Sequence, residues 1–82
     1  LEHRIDNMRE ERKYEVVCRA DANLVESLEQ AFRDANLRVQ AHSQFKAGDQ
    51  VTCSWSAFGS PEDHQKMVRT LFDHTEIKEL RC

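Results

Sequence analysis

The 82-residue chain has two glycines, one proline, one tryptophan and three cysteines, and it has no excess of positive charge. So little glycine and proline excludes collagen-like and low-complexity architectures. Cys18, Cys53 and Cys82 are odd in number and widely separated. They lack the close paired spacing of zinc ribbons and thioredoxin-like motifs, and they read as free thiols in a reducing compartment. Lysine and arginine number 12 against 15 aspartates and glutamates, a formal charge of -3. That balance provides no footprint for a phosphate backbone, so nucleic acid is not an expected partner. The longest uncharged stretches, such as Gln50 to Pro61, carry Thr, Ser and Gln; they fall far short of the roughly 20 apolar residues of a membrane-spanning helix. No signal-peptide pattern is present, and the chain begins with Leu1 rather than methionine, so it reads as a piece of a longer protein.

What the chain does contain is 39% hydrophobic and 33% charged residues, the balance of a folded domain rather than a disordered segment. The length suffices for one core and leaves little room for a deep pocket shielded from water. Residues 1–12 are mostly charged with both signs interleaved, as in a solvated connector or helical stub. Leu1, Ile5 and Met8 there fall along one side of a helix. Residues 13–82 carry the patterns of a folded domain.

Tyr14, Val16 and Cys18 alternate with Glu15, Val17 and Arg19, which predicts a strand with one buried face. Asp21 to Asn23 offers helix caps, and Asn23 with Glu26 has capping-box spacing. Leu24, Leu28, Ala31, Phe32 and Ala35 then predict a helix over 23–35, ended by Asn36 in the left-handed conformation. Leu37, Val39, Ala41 and Phe45 alternate with Arg38, Gln40, His42 and Gln44 as a second strand. Gly48 supplies positive φ in the turn that follows. The return arm runs from Val51 to Phe58, with Val51, Cys53, Trp55 and Ala57 on one face. Ser60 as N-cap, Pro61 at the first helical position, and Glu62 and Asp63 at the positive end of the dipole start a second helix. Its stripe is Met67, Val68, Leu71 and Phe72 with His64 on the same side, and it ends between Asp73 and Thr75. Glu76 to Cys82 closes the chain as a short strand, although Ile77 and Leu80 do not share one alternating face.

The order βαββαβ predicts a ferredoxin-like, ACT-like α+β fold, with two helices on one face of a four-stranded antiparallel sheet. Chain continuity and right-handed crossovers put the first and third strands in the centre. Tyr14, Val16, Cys18, Val51, Cys53 and Trp55 then face the helices. Glu15, Val17, Arg19, Thr52, Ser54, Ser56 and Phe58 form the open face. An RNA-recognition module of this element order needs aromatics on that open face, whereas the phase of Trp55 points it inward as a core anchor. A metal-carrying relative needs two close cysteines after the first strand, and Arg19 to Asn23 has none. An ACT-type amino-acid sensor places a glycine-bearing turn at the same loop. Without glycine the backbone cannot approach a ligand closely, so no amino-acid ligand is expected.

Four features together resemble the soluble C-terminal domain of the MgtC/SapB family of bacterial inner-membrane proteins. They are the charged stub before Tyr14, the strand Tyr14-Glu15-Val16-Val17-Cys18-Arg19, the run from Leu28 through Asn36-Leu37-Arg38-Val39, and Trp55 to His64 ahead of the second helix. The resemblance spans nearly the whole chain. It implies a membrane-embedded parent protein with this piece on the cytoplasmic side of the inner membrane. It also implies a setting of magnesium limitation, virulence and survival inside host cells.

No cofactor or metal site is expected. Glu10-Glu11 and Glu62-Asp63 carry the oxygen ligands magnesium prefers, but the first pair lies in a mixed-charge stalk and the second suits a helix N-terminus. His42, His64 and His74 have no zinc-ligand spacing with the cysteines, and Cys18 and Cys53 share the inward phase of core thiols. Ser54, Ser56 and Ser60 lack a companion histidine and carboxylate at a catalytic spacing. The chain reads as a non-catalytic regulatory or interaction domain that contacts a protein partner or itself. Val17, Arg19, His42, Ser54 and Phe58 are the candidate partner surface. The alternative is an ACT-type sensor of a metal ion or small metabolite.

Overall fold

The computed structural model describes residues 9–82. The Leu1, Ile5 and Met8 stripe and most of the expected connector lie outside the described residues. The elements are β1 (Glu10–Arg19), α1 (Ala22–Asp34), β2 (Arg38–Ala47), β3 (Gln50–Gly59), α2 (Pro61–Phe72) and β4 (Ile77–Arg81). All pairs are antiparallel, in the order β2-β3-β1-β4. This is the expected ferredoxin-like α+β arrangement, with β1 and β3 central.

The β1–β3 ladder runs without interruption from Glu10 opposite Gly59 to Arg19 opposite Gln50. The strand therefore takes in Glu10, Glu11 and Arg12, upstream of the alternation that starts at Tyr14. Their charges are accommodated because this end of the ladder is half-exposed, and the Glu10 and Arg12 side chains, two apart on one face, pair with each other.

Both helices begin on side-chain caps. Asp21, not Asn23, is the cap of α1: its carboxylate accepts the Asn23 backbone N–H at 2.9 Å. The connection from β1 is only two residues long, so the first available acceptor takes the position. Ser60 caps α2 as expected, accepting from the Asp63 N–H at 3.1 Å, with Pro61 at the first position. Asn36 has φ 65 where α1 ends, and Gly48 has φ 65 in the two-residue β2–β3 turn.

Two β-bulges decide what the edge strands present, because one extra residue inverts every following side chain. In β2 the register shifts around Gln40: Val39 lies opposite Ala57, but Ala41 lies opposite Ser56 and His42 opposite Trp55. Val39 thus faces the core, while Ala41 and Phe45 turn to the open face and His42 to the helix side. The sequence pattern had grouped Phe45 with Leu37 and Val39; the bulge separates them and leaves Phe45 70% exposed. In β4 the shift falls at Lys78, which puts Ile77 opposite Cys18 and Leu80 opposite Val16. Both apolar residues therefore reach the core side despite their odd spacing.

The core lies between the helices and the inner sheet face. Tyr14, Val16, Cys18, Val51, Cys53, Trp55 and Ala57 from the central strands meet Leu24, Val25, Leu28, Phe32, Met67 and Leu71 from the helices. Phe72 is 81% exposed, contrary to its assignment to the α2 stripe. It sits about 100° around the helix from the centre of the buried residues His64, Met67 and Leu71, as 3.6 residues per turn dictates. Gly59 has a packing role: an added Cβ would stand 2.5 Å from Leu37 Cδ2.

Phe32 packs against both Tyr14 and Trp55, with ring centroids 5.1 Å apart in each case. The Trp55 indole N–H reaches Glu29 Oε2 at 3.4 Å. Tyr14 and His64, both buried, form the polar part of the core. His64 Nε2 lies 2.9 Å from the Glu10 carbonyl oxygen and Nδ1 lies 2.6 Å from the Tyr14 hydroxyl. A carbonyl only accepts, so Nε2 carries the proton, and neutral Nδ1 accepts from the Tyr14 O–H. Burial pushes the Tyr14 phenol up to about 12, only partly opposed by the Arg12 charge. Cys18 and Cys53 are buried diagonal neighbours on β1 and β3, and Cys82 is exposed. Burial raises Cys18 and pushes the Cys53 thiol up to about 11, Cys18 adding to the latter.

The single tyrosine makes this network measurable. Its phenolate absorbance should titrate near 12 in the folded protein, against 10.0 without the fold. The folded value is the higher one, so its contribution to stability is complete below about pH 10 and is lost as pH rises toward 12, roughly 2–3 kcal/mol in all. Chemical denaturation across that range checks the sign; stability that holds level would contradict it. Tyr14→Phe should cost about 1–3 kcal/mol, because it leaves a buried imidazole nitrogen without a donor. In a thiol-reagent assay Cys82 alone should react in the folded protein, with Cys18 and Cys53 following only on unfolding.

Candidate functional site

The face of the sheet away from the helices is the candidate site. Register reads it as rows across the strands: Arg38, Phe58 and Glu11; then Ala41, Ser56 and Lys13; then Ser43, Ser54, Glu15 and Arg81; then Phe45, Thr52, Val17 and Glu79. The two middle rows have Ala41, Ser43, Ser54 and Ser56 at their centre, so the face is hollow there. A depression of about 580 Å³ results, lined by these residues together with Lys13, Glu15, His42, Arg81 and Cys82, among others. Glu11 accepts a hydrogen bond from the Ser56 hydroxyl, and Arg81 lies 3.9 Å from Glu15. Hydroxyls and small side chains thus form the floor, charges of both signs form the rim, and Phe58 and Phe45 stand beyond its two ends.

Of the five sequence-selected residues, Val17, Arg19, Ser54 and Phe58 share this face. His42 does not: after the Gln40 bulge it lies beside Trp55 on the helix side, exposed at the edge strand. Ser54 lines the hollow and His42 still borders it from the edge strand, whereas Val17 and Phe58 lie in the rows flanking it. Lys13, Ala41, Ser43, Arg81 and Cys82 were missed as lining residues. Lys13 was legible, since it continues the outward phase of Glu15 and Val17. Ala41 and Ser43 were not, because nothing local in the sequence announces the bulge that turns them outward.

At one end of the sheet, the β1–α1 loop is closed by charge. Arg19 reaches Asp21 Oδ2 at 3.0 Å and Glu76 Oε1 at 2.9 Å, and the Ala20 N–H donates to the Asp49 carbonyl at 2.9 Å. The Arg19 partner holds the Asp21 carboxyl below its ordinary range, with the capping bond from Asn23 adding to the effect. Beside this loop a second depression, of about 640 Å³, is lined by residues including Asp21, Glu26, Glu29, Gln44 and Lys46.

The other chemistry-bearing residues are dispersed. Glu10 and Glu11 point to opposite faces of β1, one toward Arg12 and the other toward Ser56. Asp63 lies 3.7 Å from Lys66 in the first turn of α2. His64 is in the core, and His74 Nδ1 accepts the Glu76 N–H at 3.3 Å. Among the described residues no three His, Cys, Asp or Glu side chains gather as a metal site, and no helix is long and apolar enough to cross a membrane.

No protein-family model matches the chain, and no curated protein matches it. Solved structures do. The solution structure of the C-terminal domain of the MgtC protein from Mycobacterium tuberculosis matches with a TM-score of 0.67 at 16% identity, over 87% of this chain and 82% of that one. The ACT domain from the GTP pyrophosphokinase of Chlorobium tepidum matches with a TM-score of 0.75 at 7% identity, over 90% of this chain and 97% of that one. A homoserine dehydrogenase from Thiobacillus denitrificans matches with a TM-score of 0.76 at 8% identity, over 94% of this chain but 17% of the enzyme. At such identities the likeness is one of fold, and a fold hosts many functions. The chain has an ACT-like fold of ferredoxin-like topology, similar to that of the C-terminal domain of MgtC.

Proposed function

We propose that this chain is the non-catalytic interaction domain of an MgtC-like bacterial inner-membrane protein, held on the cytoplasmic side and required when magnesium is scarce or the bacterium lives inside a host cell. The observation that carries the reading is the shared fold with the MgtC C-terminal domain over most of both chains, together with the sequence resemblance. The open sheet face is the contact surface in this reading. Its hollow of small side chains admits a helix or strand of a partner, or of a second copy, closer than a face of large residues would. The mixed charges of Lys13, Glu15 and Arg81 set its orientation. Val17, Arg19 and Phe58 extend the surface, and the exposed β2 offers a ten-residue edge beside it.

A second reading, a sensor of a metal ion or small metabolite, draws on the likeness to an ACT domain and on the depression beside the β1–α1 loop. Against it, Arg19 already pairs with the Asp21 carboxylate of that loop and with Glu76 ahead of β4.

Ser54→Trp separates the two. The substitution fills the open-face hollow without touching the core, so stability should change by no more than about 0.5 kcal/mol. Growth of the bacterium in low magnesium should fall to the level of a strain lacking this domain; full growth would overturn the interaction reading. In NMR titrations of the unsubstituted chain with magnesium, zinc and amino acids, the interaction reading expects no saturable, localised shifts. Such shifts around Asp21, Glu26 and Gln44 would establish the sensor instead.

A further inference from the structure

We infer that the end of the domain where β1 begins holds a site for the phosphate groups of anionic lipid headgroups, formed by Arg9, Arg33 and Arg38; the inference rests on the membrane-attached reading above. Arg9 directly precedes β1, Arg33 lies in the last turn of α1 and Arg38 opens β2. With Asn36, Leu37 and Phe58 they line a depression of about 470 Å³, and none of these lining side chains is acidic. The turn between α1 and β2 creates the cluster. Asn36 at φ 65 ends the helix, the Leu37 N–H returns to the Phe32 carbonyl at 3.0 Å, and Arg33 and Arg38 emerge at one end of the molecule.

The carboxylates nearest in sequence have other partners. Glu10 pairs with Arg12, Glu11 accepts from Ser56, and Asp34 accepts from the Gln30 amide at 3.0 Å. Arg33 donates through Nε and one terminal nitrogen to Gln30 Oε1, at 3.2 and 2.8 Å. That bond orients the guanidinium and leaves three of its five N–H groups without a partner among the described residues. Among the described residues the Arg38 side chain makes no ion pair. Planar guanidinium forks match phosphate oxygens, and salt screens charges beyond about 8–10 Å, so the local cluster acts despite the chain's net charge of -3. All three arginines are exposed on an open rim. Exposed arginines hold a single dissolved ion weakly, whereas a membrane surface presents many phosphates at once. Arg9, the first described residue, stands at this end, where β1 begins.

Co-sedimentation with vesicles tests the site. The chain should bind phosphatidylglycerol vesicles in preference to phosphatidylcholine at physiological salt. Each arginine near an anionic surface contributes roughly a fivefold factor, so Arg33→Gln with Arg38→Gln should weaken binding roughly thirtyfold. Lys66→Gln with Arg69→Gln, the same charge change on α2, should weaken it by less than about threefold. In the unsubstituted chain, vesicles should broaden the NMR signals of Arg33, Asn36 and Arg38 first, a readout that does not depend on how the variants fold. Equal losses in both double variants, or no preference for the anionic lipid, would overturn the site. So would shifts at these arginines with inorganic phosphate in a chain that ignores vesicles, which would mark a soluble anion as the ligand. Vesicle failure with the low-magnesium growth defect of Ser54→Trp intact removes this site alone; vesicle binding with normal growth removes the interaction role and keeps the site.

Discussion

The structure depends on one buried column, in which Trp55, Phe32, Tyr14 and His64 run from the sheet through both helices. Phe32 touches the aromatic rings of both central strands, so α1 cannot shift without opening the core beneath Trp55. The Tyr14 hydroxyl is buried and needs an acceptor, which His64 supplies from the first turn of α2. His64 in turn needs an acceptor of its own and finds it at the Glu10 carbonyl. That last bond ties the position of α2 to the start of β1. The apolar contacts supply most of the burial, and the two hydrogen bonds exclude rearrangements that would strand a polar atom in the core.

Because the column holds the centre of the sheet firmly, irregularity is confined to the edges. The β1–β3 ladder is uninterrupted, while β2 and β4 each carry a bulge. In β4 the bulge serves the core by bringing Ile77 and Leu80 to one side. In β2 it serves the surface: beyond Gln40 the strand turns Ala41, Ser43 and Phe45 outward. The hollow on the open face is a consequence of that inversion combined with the serines of β3. An edge strand can tolerate the extra residue because only one neighbour must adjust to it.

Much of the architecture was legible in the residues. Period-two alternation located β1 and β3 and placed Trp55 inward; Ser60-Pro61 located the start of α2; Asn36 and Gly48 marked the positive-φ turns. These signals are local, and local physics decides them. The cap of α1 was displaced from Asn23 to Asp21 because several adjacent residues can cap, and the tight connection from β1 selects among them. For the candidate surface, Val17, Arg19, Ser54 and Phe58 lie on the uninterrupted central strands, where phase carries reliably from one residue to the next. His42 lies beyond a bulge, where it does not. The grouping of Arg9, Arg33 and Arg38 had no trace in an acidic composition, since it joins three positions that only the α1–β2 reversal brings to one end.

The sequence by itself determined the element order, the start of α2, the inner faces of the central strands and hence the fold, because periodicity, capping and turn chemistry act over a few neighbouring residues. Tertiary structure alone decided which residues share the edges, the hollow and the arginine cluster. Those groupings depend on register and chain reversal, where a single inserted residue inverts a face and no short stretch of sequence records the result.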